Sequence, residues 1–147
     1  VLDIRLAEAP FDPAQDLARF TASMHNAGGV VSFLGQVRAD SGVEALDIRH
    51  YPAMTMPGFR ALGETALQRW ALDGLLIVHR VGQMAPGEPI VLVAGAGRHR
   101  RDAFAATDYV MDHLKSESWL WKRERSAAGW RWIEPRAQDH VDRARWD

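Results

Sequence analysis

Apolar and polar residues alternate over 2–7 (Leu-Asp-Ile-Arg-Leu-Ala), which predicts an opening strand with one face turned to a core. Asp12-Pro13 reads as a helix start, a capping carboxylate followed by proline at the first helical position. Leu17, Phe20 and Met24 then recur at helical spacing as far as about His25, where Asn26-Ala27-Gly28-Gly29 ends the pattern. Residues 30–37 (VVSFLGQV) and 45–51 read as two further strands, and the polar loop at 39–43 between them predicts that they pair as a hairpin. Pro57 is expected to open a helix running to about Trp70, with Leu62, Ala66 and Leu67 inward. Two strongly apolar strands, 75–81 and 90–96, flank a turn at 85–89 (APGEP). A helix is expected from about Arg101 to Ser116, with Ala103, Phe104, Thr107, Val110, Met111 and Leu114 facing the core. Beyond it, Trp119-Leu-Trp121 and Trp130-Arg-Trp132 have period two around Ser126-Ala-Ala-Gly129, which predicts a Trp-rich hairpin and a tail over about 117–147. Strands and helices mix without regular βαβ alternation, so the expected class is α+β with substantial antiparallel pairing, in a single domain spanning 1–147.

Composition narrows the chemistry. The net charge is −1, so no global field points to nucleic acid or to a membrane surface, and any anion site must be local. Cysteine is absent, which excludes thiolate ligands, disulfides and cysteine nucleophiles. If sulfur is handled here, it must arrive on another molecule. The apolar runs are far too short for a membrane span and the first residues carry Asp3 and Glu8 with no apolar leader, so a cytoplasmic protein is expected. Of the 18 basic residues, 16 are arginine and only Lys115 and Lys122 are lysine. High genomic GC content accounts for such a bias without function. Even so, the two lysines lie seven residues apart, and lysine supplies an amine that can lose its proton and attack a carbonyl.

Arg98-His99-Arg100-Arg101 sits where the most apolar strand gives way to a helix N-terminus. Free amides and the helix dipole there favour an anion, whereas cations alone work against the dipole by about 0.3–1 kcal/mol each. An anion cradle and a solvated basic turn are the two readings of that stretch. Lys115 falls in the last turn of the same helix, where the dipole alone would favour it, on one flank with Phe104, Asp108 and Met111. Lys122 lies in the following strand, and its plain alternative is an exposed charge. Two lysines close to aromatic surface and to arginines are candidates for lowered pKa values. Arg38 ends a strand after Gly35-Gln36-Val37. The six histidines have no metal-ligand spacing, and no nucleotide-binding glycine fingerprint or nucleophile elbow occurs, so neither metal nor cofactor is expected.

An ordered set of short stretches carries a resemblance to the large subunits of molybdopterin synthase. These are Gly29-Val-Val-Ser-Phe-Leu-Gly-Gln-Val-Arg38, His50-Tyr-Pro-Ala-Met54, Val78-His-Arg-Val-Gly82 with Pro86-Gly-Glu88, and His99-Arg100 with Ala103-Phe104. They continue with Met111-Asp-His-Leu-Lys115, Trp121-Lys-Arg-Glu124 and Trp132-Ile-Glu-Pro-Arg136. The resemblance implies an α/β-hammerhead fold with an additional antiparallel β subdomain. It implies a homodimer of large subunits, within a heterotetramer completed by small ubiquitin-like subunits whose C-terminal Gly-Gly carries a thiocarboxylate. The implied reaction is transfer of that sulfur to cyclic pyranopterin monophosphate, forming the dithiolene of molybdopterin. Lys115 and Lys122 match the family's catalytic lysines, while Arg38, His99, Arg100, Met111 and Arg136 match substrate-binding positions. The chain departs from relatives at Arg101-Asp102, where small polar residues are common, and in the short loop 39–42.

Two other classes compete with it. A non-catalytic anion- or RNA-binding module would use the 98–101 cluster, Arg123, Arg125 and the tryptophans, and would show steep salt dependence without lysine specificity. A hydrolase of a cyclic phosphate would turn over with no sulfur donor.

Overall fold

The computed structural model describes residues 1–117 and 119–147. In chain order the elements are β1 (Leu2–Ala7), α1 (Pro13–Ala22), β2 (Gly29–Gln36), β3 (Ala45–His50), α2 (Pro52–Arg69) and β4 (Leu72–Arg80). They continue with β5 (Gly82–Met84), β6 (Pro89–Gly97), α3 (Arg100–Ser116), β7 (Leu120–Ser126), β8 (Gly129–Ile133) and α4 (Ala137–Ala144). The strands form two four-stranded sheets, ordered β1-β4-β6-β2 and β5-β3-β7-β8. Among the described residues only β1 and β4 run parallel; every other pairing is antiparallel, and the class is α+β.

β4 and β6 are the apolar centre of the first sheet because both of its faces are covered. Side chains alternate across the strand, so Leu75 and Ile77 join Phe59, Leu62, Tyr109, Val110 and Leu114 under α2 and α3. Leu76 and Val78 point the other way and meet Phe20 of α1 and Met24 just beyond its end. A third cluster, Val37, Leu46, Ile48, Val81 and Met84, joins the two sheets. Gly82, at φ +92°, makes the turn from β4 into β5 and so from one sheet to the other, a conformation that favours glycine. At Gly95 a Cβ would lie 2.9 Å from Thr107 Oγ1 and 3.3 Å from Ala103 O, so α3 can seat this closely on β6 only over a glycine. Among the described residues, no helix is long and apolar enough to cross a membrane.

Several boundaries and pairings differ from expectation. β2 and β3 do not form a hairpin: β2 pairs with β6, and β3 with β5 and β7. The loop between them changes sheets, with Val37 bonded through its amide to Glu88 O (3.0 Å) and Glu44 through its amide to Arg125 O (2.8 Å). Alternation fixes which face a residue occupies and leaves the partner strand open. α2 begins at Pro52, so Pro57 lies inside it rather than at its start. α1 ends at Ala22, three residues short of His25. β5 was not anticipated, being only three residues long. Phe104 is 57% exposed rather than inward; Ala106 and Tyr109 fill the helix's buried face instead. The Asp12 cap, the 85–89 turn and the β7–β8 hairpin stand where the pattern put them, and the tail contains the helix α4.

Candidate functional site

Helix α3 delivers its last turn to the junction of the two sheets. Ala103, Ala106, Val110 and Leu114 are buried, which leaves Lys115 exposed on an adjoining flank. The chain then enters β7, where Leu120 packs on the cluster between the sheets. Period two places Lys122 on the same face as Leu120, in register with Ile48 and Ile133. A helix end and a strand start thus bring the two lysines to the wall of one cavity of about 460 Å³. Arg38, Met111 and Arg136 line it too, together with His79 and Asp139. A second cavity of about 670 Å³ shares Lys115, Arg136 and Asp139 and extends past Asp108 and Phe104 to Arg101.

The C-terminal helix supplies one side of the site. Arg136 caps α4, and its amide donates to Asp139 Oδ2 (2.8 Å) while its Nη2 donates to Oδ1 (3.3 Å). α4 is tied down from behind. Asp112 Oδ2 accepts from Trp146 Nε1 (2.6 Å) and Arg145 Nη2 (2.7 Å), and Trp146 stands edge-on to Trp70 and Tyr109. The Arg69 guanidinium lies 5.0 Å from the ring centres of Trp70 and Tyr109, completing an aromatic–cation clamp.

Charge in the cavity is mostly positive. Although the Lys115 side chain is exposed on the surface, the protein mass around it partly desolvates its amine and lowers its pKa, with Asp139 opposing the fall and Arg136 and Arg38 adding to it. Lys122 is pushed down to about 8, first by burial and then by the charge of Lys115, again against Asp139. At pH 7 a lysine with that value is roughly one-tenth neutral, against less than a thousandth for an ordinary one. His79 is 2% exposed and burial depresses its pKa to about 3, so it stays neutral. Arg80, also buried, holds Glu88 at 3.2 Å and the Gln83 carbonyl at 3.2 Å. The Val78–Gly82 and Pro86–Glu88 stretches therefore serve to lock the turn that leads into β6.

Five of the seven residues singled out from sequence meet in this cavity: Arg38, Met111, Lys115, Lys122 and Arg136. His99 and Arg100 do not. They are exposed at the opposite end of α3, about 22 Å along the helix from Lys115 at about 1.5 Å per residue. Neither of them lines either cavity. His79 and Asp139 went unrecognised, although a histidine inside an apolar run and an acid three residues after a helix cap were visible signals. Arg123 and Arg125 are occupied elsewhere, paired with Asp47 and Glu44 and stacked on Trp130.

Two lysines of lowered basicity share a mostly cationic cleft at the junction of the two sheets of an α+β fold, an arrangement suited to an anionic ligand. The lineage of the chain follows from comparison with known proteins: the family model described as MoaE protein matches residues 6–117. The molybdopterin synthase catalytic subunit of Caulobacter vibrioides is 45% identical over 145 residues, covering 98% of this chain and 97% of that one. The molybdopterin biosynthesis MoaE protein of Burkholderia ambifaria superposes with a TM-score of 0.85 at 38% identity, covering 99% and 98% of the two chains. A chain from the Helicobacter pylori complex of subunits 1 and 2 of molybdopterin-converting factor has the same fold, with a TM-score of 0.78 at 19% identity over 90% and 91%. The chain belongs to the MoaE family of molybdopterin synthase catalytic subunits, enzymes of molybdenum cofactor biosynthesis.

Proposed function

We propose that this chain, working as a single domain, is a sulfurtransferase. In this reading it moves sulfur from the C-terminal thiocarboxylate of a small ubiquitin-like partner onto cyclic pyranopterin monophosphate. The observation that carries the proposal is the meeting of Lys115 and Lys122, the only lysines of a cysteine-free chain, in one arginine-lined cavity. A chain without cysteine needs an outside sulfur donor, and a thiocarboxylate tail and a cyclic phosphate are both anions suited to this charge. Lys115 lies beside the sulfur-accepting carbon in this scheme, as acid–base group or transient nucleophile. Lys122 stabilises developing negative charge or orients the tail. Arg38 and Arg136 hold the phosphate, and Met111 supports the pterin.

His99 and Arg100 enter the same scheme from a second copy of the chain. A homodimer that sets the α3 N-terminus of one protomer against the lysine cavity of the other would complete the phosphate cradle, with one small subunit per protomer in the heterotetramer.

The test combines cyclic pyranopterin monophosphate, a thiocarboxylated Gly-Gly partner and wild-type, Lys115→Ala or Lys122→Ala protein, with the dithiolene product read as its oxidised fluorescent derivative. Product from wild type and at least a 10²-fold loss in Lys115→Ala is expected, on the order seen when a positioned acid–base group is removed. Absence of product with a partner shown to bind would refute the catalytic reading. Undiminished product in both variants would refute the lysine mechanism.

A further inference from the structure

His79 has no part in the scheme above, yet it is the most deeply buried ionisable group of the cavity wall. Its Nδ1 lies 2.8 Å from the Arg80 carbonyl oxygen. A carbonyl has no proton to give, so Nδ1 carries the hydrogen and Nε2 is left as a bare lone pair. The Phe59 ring, 5.9 Å away, packs against the imidazole and is itself backed by Trp119. Apart from the bond to Arg80, no hydrogen bond is made to the ring by the described residues. His79 lines the cavity, so this acceptor is available to a donor on the cavity wall.

The cavity also contains donors that lack acceptors. The arginines are engaged, Arg136 with Asp139 and Arg38 with Asp40, and Arg80 turns away to Glu88. Lys115 and Lys122 make no side-chain hydrogen bond or ion pair with any described residue. Lys122 is the less exposed of the two and so loses more solvation by going unpaired.

We propose that His79 is a positioning residue, whose Nε2 accepts a hydrogen bond from the Lys122 ammonium and fixes it in the cavity for sulfur transfer. The proposal rests on the catalytic role assigned to Lys122. A neutral imidazole suits this task because it accepts a hydrogen bond without adding another positive charge. The charged groups around the pair are Lys115 from α3, Arg38 beyond β2, and Arg136 and Asp139 of α4. An acceptor for the ammonium also offsets part of the desolvation that lowers the Lys122 pKa.

Long-range proton–nitrogen correlation spectra of the full-length ¹⁵N-labelled protein test the contact without any turnover. The expected pattern is an Nδ1–H tautomer of His79 that does not titrate between pH 5 and 9. Its Nε2 resonance should be displaced from the free-imine position and return to it in Lys122→Met but not in Lys115→Met. An Nε2 resonance indifferent to Lys122→Met, or one released by Lys115→Met instead, overturns the proposal. Turnover with the thiocarboxylated partner tests the consequence. His79→Gln places an amide oxygen near the Nε2 position and should keep kcat within a few-fold of wild type. His79→Asn retains only the donor to Arg80 and should lower kcat by roughly 10–10²-fold, the order expected for a misplaced catalytic group, with little change in KM. Loss of this hydrogen bond should also lower the Lys122 pKa in His79→Asn, moving the limb of the pH–kcat profile that Lys122 sets to lower pH. Equal losses in both variants, with the pH limb unmoved, would leave His79 a packing residue and overturn the proposal. If wild-type protein makes no product, the synthase reading fails while the spectra still decide the His79–Lys122 contact.

Discussion

Lys122 costs the fold stability wherever its ammonium is charged. Its ammonium sits half-buried beside Lys115, and the folded protein holds its pKa at about 8 against an ordinary 10.5. Between those values the unfolded chain binds more protons than the folded one, so this residue's contribution makes stability rise with pH through that window. Below pH 8 the full penalty of the buried charge is present. Lys122→Met is therefore expected to abolish turnover yet stabilise the protein at pH 7 by about 1–2 kcal/mol, a gain that shrinks as pH rises toward 10.5. Urea denaturation of both proteins at pH 7 and pH 10 checks this, and a variant less stable than wild type at pH 7 would contradict it. The two lysines could be picked out from sequence because they are so few. His79 was hidden because an apolar run swallows one polar letter without breaking its pattern, and what it does depends on a tautomer set by the Arg80 carbonyl.

At the scale of elements, α4 matters more than its eight residues indicate. It carries Arg136 at its cap and Asp139 one turn in, and Trp146 just beyond it anchors the tail in the clamp formed by Trp70, Tyr109 and Arg69. The helix is short and marginal by itself, so its position depends on that docking. Trp146→Ala should destabilise the protein by about 1–3 kcal/mol through lost aromatic packing and the Asp112 hydrogen bond. The sharper effect is local: α4 amides should exchange hydrogen much faster and KM for substrate should rise more than kcat falls. Protection of α4 unchanged in Trp146→Ala would mean that the clamp does not hold the helix. Most elements were legible in advance, since caps, turns and periodicity are local. Strand partners were not, because alternation in 30–37 and 45–51 says nothing about which neighbour each strand finds. Phe104 fitted a core stripe by spacing, but it borders the second cavity instead.

The whole molecule poses the question of where His99 and Arg100 act. They stand at the far end of α3 from the lysines, and the proposed homodimer would bring the two ends of the helix together in one site. In the proposed homodimer each cavity pairs the lysines of one protomer with the His99-Arg100 pair of the other. This arrangement can be tested by complementation between inactive variants. In a Lys115→Ala dimer both cavities lack the lysine, and in an Arg100→Ala dimer both lack the arginine. A mixed dimer has one cavity with both defects and one with none. Random reassortment of equal amounts places about half of all dimers in the mixed form, each with one intact site of two, so about a quarter of wild-type activity should return. If every cavity were completed within its own chain, each site of a mixed dimer would carry one defect and no activity would return. Unfolding and refolding the two proteins together, with each refolded alone as control, separates these outcomes, because restored activity requires exchange of protomers and the sharing of a site across the interface.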